Sequence, residues 1–160
     1  LIQHHAKVNE EDVYNKTPLM YAIDNKSLPV IKLLVENGAN MNHDNIIFTK
    51  VFKTKDLTII KYFIEQNISI PFNRITECYE IINKFPIDKK IPIFKCLVQN
   101  NSDFFSINVL IEIIRENQIE IIKLLIENNF NFNIKDENEK TPLDYAILFN
   151  QQTIVRYLKK

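Results

Sequence analysis

The groups that could carry chemistry are His4, His5 and His43, the cysteines Cys78 and Cys96, and carboxylates such as the neighbouring pair Glu10 and Glu11. A metal site needs three or four such ligands at set spacings. No Cys-x-x-Cys, His-Glu-x-x-His or calcium-loop pattern occurs, and His4 and His5 are adjacent while His43 lies far along the chain. Gly38 is the only glycine, so no loop can cradle a phosphate or a dinucleotide by close backbone approach. Nothing places a serine or cysteine beside a fixed base. Glu10 and Glu11 stand in a polar, turn-rich stretch and read as a solvated turn rather than an acid–base pair. Cys78 and Cys96 sit in apolar helical patterns and read as small buried hydrophobes. The expectation is a chain without catalytic, metal-binding or cofactor-binding residues, and not an enzyme.

Bulk composition narrows the remaining classes. The 160 residues are 46% hydrophobic and 25% charged, enough for one continuous core and too apolar for disorder. Twenty basic residues balance twenty acidic ones, so the cationic excess that neutralises phosphates in nucleic-acid binders is missing. No apolar run approaches the roughly 20 residues that span a bilayer, and no signal peptide is visible. A cytoplasmic setting without nucleic acid or membrane insertion is therefore expected. The chain opens at Leu1, inside what reads as a helix already under way, so it is expected to be part of a longer protein.

The elements that would position any functional side chain are repeated. Thr17-Pro18-Leu19-Met20-Tyr21-Ala22-Ile23 recurs as Thr141-Pro142-Leu143-Asp144-Tyr145-Ala146-Ile147. A second pattern, Ile31-Lys32-Leu33-Leu34-Val35-Glu36-Asn37-Gly38, returns from Ile60, Phe94 and Ile122 and in part from Val155, at spacings of 29, 34, 28 and 33 residues. Thr17 and Pro18 suit a helix cap and first helical position, and Leu19, Ala22 and Ile23 then share one face. Ser27, Asp56 and Thr153 read as caps of second helices, and Pro29 and Pro92 as their starters. Phe85 to Asp88 is expected to lengthen the turn ahead of Pro92. Thr76, Cys78, Ile81 and Ile82 align with Thr17, Leu19, Ala22 and Ile23. Ile46, Ile47, Phe48, Val51 and Phe52, and then Val109, Leu110, Ile113 and Ile114, serve as first helices elsewhere. The second helix ends at Gly38, and at Asn67, Asn101 and Asn129 in the later copies. Asparagine is the next-best residue for the left-handed position that closes a helix, and His5 falls at the equivalent place in the opening segment. Lys32–Glu36, Lys61–Glu65 and Lys123–Glu127 read as i,i+4 pairs on a solvated face.

This pattern resembles the ankyrin repeat, a unit of about 33 residues with a Thr-Pro-Leu-His-x-Ala signature. The polar stretches Asn9 to Lys16 and Lys135 to Lys140 separate it from tetratricopeptide or HEAT arrays, which need no such segment. The resemblance implies an all-α solenoid of stacked helix–turn–helix units joined by short hairpin-like linkers. Its divisions would be a tail of a preceding repeat at 1–8 and repeats at 9–41, 42–70, 71–104, 105–132 and 133–160, forming one domain. It further implies a protein partner, met through the hairpin tips and the exposed side of the first helix. Carried onto this chain, those positions are Val13, Tyr14, Lys16, Asp24 and Asn25. Their counterparts are Arg115 and Glu116, and then Glu137, Asn138, Lys140, Leu148 and Phe149. The resemblance is best read as a scaffold or adaptor, monomeric or part of a longer array. The alternative is a targeting or regulatory segment of a larger enzyme or effector.

Overall fold

The computed structural model describes residues 7–43, 46–70, 74–100 and 102–159. The expectations for His4, His5 and Asn101 lie outside the described residues. Two units are resolved by their internal packing, Leu1–Pro71 and Phe72–Lys160.

In the first unit, Pro18 supplies the opening residue of α1 (Pro18–Asp24), and the Thr17 hydroxyl accepts the Met20 N–H at 3.4 Å. Three residues later the chain turns into α2 (Leu28–Glu36), with Pro29 in its first turn as expected. The pair α3 (Ile47–Lys53) and α4 (Leu57–Glu65) repeats the arrangement. Asp56 caps α4 by accepting the Thr58 and Ile59 N–H groups, whereas Ser27 makes no side-chain cap at α2. Helix α1 packs on α2 and α3, and α3 on α4. Leu19, Ile23, Ile31, Phe48, Phe52, Ile59 and Phe63 are buried between them.

The second unit contains α5 (Ile75–Asn83), α6 (Ile87–Asn100), a short 3-10 turn (Ser102–Phe104), α7 (Ile107–Arg115), α8 (Ile119–Glu127), α9 (Pro142–Leu148) and α10 (Gln152–Leu158). First helices pack on first helices, α5 on α7 and α7 on α9. Second helices do likewise, α6 on α8 and α8 on α10. An aromatic chain threads the unit, from Tyr79 through Phe94, Phe104, Phe105 and Phe130 to Phe132, with successive centroids 5.2–6.2 Å apart. Such tilted and edge-on contacts add to the area each ring buries.

Three local readings are corrected here. Pro92 does not start a helix; it lies inside α6, which begins at Ile87, so Phe85 to Asp88 closes the turn instead of lengthening it. Pro86 accounts for the difference, since its carbonyl accepts the Lys89 and Lys90 N–H groups at 3.0 and 2.9 Å and opens the helix early. Thr76 lies within α5, whose cap position is Arg74, and Thr153 lies within α10, whose cap position is Gln151. The i,i+4 pairing also shifts: Lys123 reaches back to Glu120 at 2.8 Å, and Lys32 stands over the Tyr62 ring.

The left-handed positions are more regular than expected. Gly38, Asn67 and Asn129 close the second helices at φ of 85°, 54° and 55°. A second set, Lys26, Lys55, Asn117 and Asn150, occupies the turn between first and second helices at φ of 52–57°. After α1 the Lys26 N–H donates to the Ile23 carbonyl and the Ser27 N–H to that of Ala22. The same two-bond closure follows α7 and α9. A three-residue turn that reverses the chain needs one left-handed residue, whatever side chain the sequence provides. In the second-helix set the next residue folds back apolar, and Ala39 and Ile68 are buried there.

Candidate functional site

Two fingers project ahead of α1 and α9 and share one construction. In the first, the Asp12 carboxylate accepts the Tyr14 N–H at 2.8 Å and the Lys16 N–H at 3.0 Å. The Asp12 N–H donates to the Lys16 carbonyl at 3.1 Å, and Asn15 takes the left-handed conformation at φ 56°. In the second, Asp136 accepts the Asn138 and Lys140 N–H groups, both at 2.9 Å, with Glu139 left-handed at φ 60°. Each aspartate also accepts a phenol hydroxyl from the first helix behind it, Tyr21 for Asp12 and Tyr145 for Asp136. These phenol contacts are the leading cause that holds both carboxyl groups below the ordinary aspartate value, and the same contacts raise the two phenols. Lys16 stands over the Tyr21 ring at 5.1 Å and Lys140 over Tyr145 at 6.0 Å.

What the fingers present differs. Val13 is 90% exposed and Tyr14 77% exposed at the tip of the first. Glu137, Asn138 and Glu139 are exposed at the tip of the second. Behind the first finger, Asp24 takes Lys16 at 3.3 Å and Lys50 at 2.5 Å, joining the finger to α1 and α3. Asn25 is exposed and closes α1 through its backbone N–H. Val13, Tyr14, Lys16 and Asp24 are thus neighbours through the finger and its ion pairs.

In the second unit, Leu148 is exposed at the end of α9, with Ile147 beside it in sequence also exposed. Phe149 is half-buried, 5.8 Å from the Tyr145 ring, and the Arg115 guanidinium lies over it at 5.2 Å. Arg115 also pairs with Glu112. Glu116 belongs to a polar network that sequence reasoning did not suggest. Its carboxylate accepts the Tyr79 hydroxyl at 2.6 Å and the Asn83 amide at 2.5 Å. Lys90, buried, donates to the Asn83 and Gln118 side-chain oxygens at 2.9 and 3.3 Å. Burial lowers the Lys90 ammonium, opposed by Glu116, and burial with the Glu116 hydrogen bond pushes the Tyr79 phenol well up. A groove of about 330 Å³ opens beside this network between α5 and α7.

Asp12, Tyr21, Asp136 and Tyr145 were not singled out from sequence, although each Asp precedes its Tyr by nine residues around the same Lys-Thr-Pro-Leu. That shared spacing was the available signal. Burial pushes the Cys78 thiol well up, which keeps it un-ionised and a poor nucleophile. Among the described residues no three His, Cys, Asp or Glu side chains gather as a metal site would require, and no helix is long and apolar enough to cross a membrane.

Comparison with known proteins points one way. The chain is 25% identical over 148 residues to the ankyrin repeat protein FPV244 of fowlpox virus (strain NVSL), covering 92% of this chain and 18% of that protein. It is 30% identical over 139 residues to the ankyrin repeat protein R598 of Acanthamoeba polyphaga mimivirus, covering 82% and 41% respectively. The chain therefore spans less than half the length of these curated relatives. The crystal structure of EF0377, an ankyrin repeat protein, superimposes with a TM-score of 0.63 at 21% identity, covering 97% of this chain and 85% of that one, which shows the same all-α repeat solenoid fold. The family described as ankyrin repeats (3 copies) matches residues 1–45 and 85–160, more than half of the chain and both fingers included. Paired helices, left-handed closures and the Thr-Pro-Leu caps agree with that match, and the chain belongs to the ankyrin repeat family.

Proposed function

We propose that this chain, like ankyrin repeats in general, is a protein–protein interaction module, and that it is a non-catalytic recognition module binding another protein through its finger tips and the exposed side of its first helices. The observation that carries the reading is Val13 and Tyr14 at the end of a braced finger. Aromatic side chains of this kind dominate interface energies once they are covered, and a pre-shaped loop loses little entropy on binding. The second finger and the Arg115–Phe149 pair extend the proposal to Glu137, Asn138, Lys140, Leu148 and Phe149. Lys16, Asp24, Asn25 and Glu116 complete the set. Cys78 and Cys96 are both buried thiols, which fits the reducing cytoplasmic setting that the proposal includes. We extend it to the five repeats at the boundaries given above, monomeric or within a longer array.

A photo-cross-linking residue at position 14, used in an extract of the native cell, tests the reading. A partner cross-linked from position 14, and lost in competition with unlabelled wild type but not with Val13→Ala/Tyr14→Ala, is the expected result. Equal competition by both proteins removes the first finger from the site. The same competition with Phe149→Ala examines the second unit separately.

A further inference from the structure

The two fingers are braced, and the brace follows a rule visible within this one chain. Asp12-x-x-x-Lys16-Thr17-Pro18-Leu19-x-Tyr21 and Asp136-x-x-x-Lys140-Thr141-Pro142-Leu143-x-Tyr145 differ only at the tip triplets and at one position inside the helix. On α3 and α5 both members are replaced, Met41 with Lys50 and Pro71 with Glu80, and on α7 Glu112 follows Asp103, which lies in the 3-10 turn and not in a Lys-Thr-Pro-Leu finger. A tyrosine kept for packing alone would have no reason to stand only behind a finger aspartate. The hydroxyl contact gives the reason, because a carboxylate already accepting two backbone N–H groups is fixed in direction by a third donor from a rigid helix.

We propose that Tyr21 and Tyr145 are positioning residues that clamp their finger aspartates to the first helix, and that the triplets 13–15 and 137–139 are interchangeable inserts held by this constant frame. This rests on the reading of the fingers as recognition elements. The frame sets the direction in which a tip points, and the triplet sets its chemistry. Val13-Tyr14-Asn15 offers an apolar, aromatic tip that fits a partner's apolar pocket. Glu137-Asn138-Glu139 offers an acidic tip that fits a cationic group.

Amide hydrogen exchange on the whole chain, free of any partner, tests the clamp independently of binding. Tyr21→Phe keeps the ring under Lys16 and removes only the hydroxyl. Exchange at the Tyr14 and Lys16 amides is expected to rise about tenfold, as loss of a charge-assisted hydrogen bond would give, while the amides of α7 and α8 stay unchanged. Tyr145→Phe should do the same at Asn138 and Lys140 only. In a second arm, Glu137-Asn138-Glu139 transplanted into positions 13–15 should keep wild-type protection at positions 14 and 16. Unchanged exchange in both phenylalanine variants overturns the clamp, and so does a rise spread evenly over the chain. Loss of protection in the transplant overturns the interchangeable triplet. Failure here with intact cross-linking at position 14 leaves the binding reading standing, and the reverse pair of results separates them the other way.

Discussion

The finger-bearing helices α1 and α9, and α5 and α7, whose lead-in sequences lack the Asp-x-x-x-Lys-Thr-Pro pattern, solve the same packing problem with different chemistry. Around α1 and α9, order comes from aspartate-centred turns, a threonine cap and a phenol brace, all at the solvent edge. Around α5 and α7 there is no Thr-Pro-Leu start. Order there comes from the aromatic chain through Phe94 and from the network joining Tyr79, Asn83, Lys90 and Glu116. The difference teaches that stacking and finger shape are separable in this chain. Local polar devices set the fingers, while interior contacts hold the stack around α5 and α7.

The largest effect that should break this contrast is Phe94→Ala. The ring is fully buried against Tyr79, Phe104 and Phe105, and its removal should cost about 3–5 kcal/mol by denaturant unfolding. A cost near zero would mean that the aromatic chain is not what orders that region. Next, Asn83→Ala should cost about 1–3 kcal/mol, because it strips one acceptor from buried Lys90 and one donor from Glu116. Thr141→Ala, which removes a reciprocal cap with Asp144, should cost about 1 kcal/mol, and its effect should be confined to amides of α9 and its finger. Lys26→Gly should be neutral or stabilise by up to about 1 kcal/mol, since Lys26 is held at φ 52°. A clear loss there would show that the lysine side chain contributes more than its backbone strain costs.

The smallest expected effect is acid sensitivity, which sharpens the contrast by location. Asp12 and Asp136 are held below the ordinary value of 3.8. A depressed carboxylate contributes its stabilisation above the unfolded value and loses it as pH falls through the folded one. Finger amides should therefore lose protection only below about pH 4, ahead of the amides of α7. Nuclear magnetic resonance titration of both sets reads this directly, and simultaneous loss would dissolve the distinction.

Much of this fold was legible because its determinants are local and repeated. Thr17, Pro18 and the apolar i, i+3, i+4 set identify α1 without any tertiary knowledge, and the Gly38, Asn67 and Asn129 closures follow from backbone sterics alone. Pro92 was misread because a proline within a helix and a proline opening one look alike in sequence; Pro86, six residues earlier, already provides the turn. Lys26 and Lys55 were overlooked as left-handed residues because lysine carries no preference for that conformation, and the turn length imposes it. Within the candidate site, Tyr14 and Phe149 could be named from residue type. The roles of Asp12 and Tyr21 could not, since a contact across nine residues depends on how the finger folds back onto its helix. The Glu116 network was illegible for the same reason, as its partners come from two separate helices and a turn.

The two cysteines give the molecule an internal clock. Cys78 on α5 is wholly shielded and Cys96 on α6 nearly so, and neither lies on a finger. A thiol reagent can reach either sulfur only after its helix opens, so each labelling rate measures how often α5 or α6 departs from the stack, with no engineered probe and no disturbance of the surfaces proposed for binding.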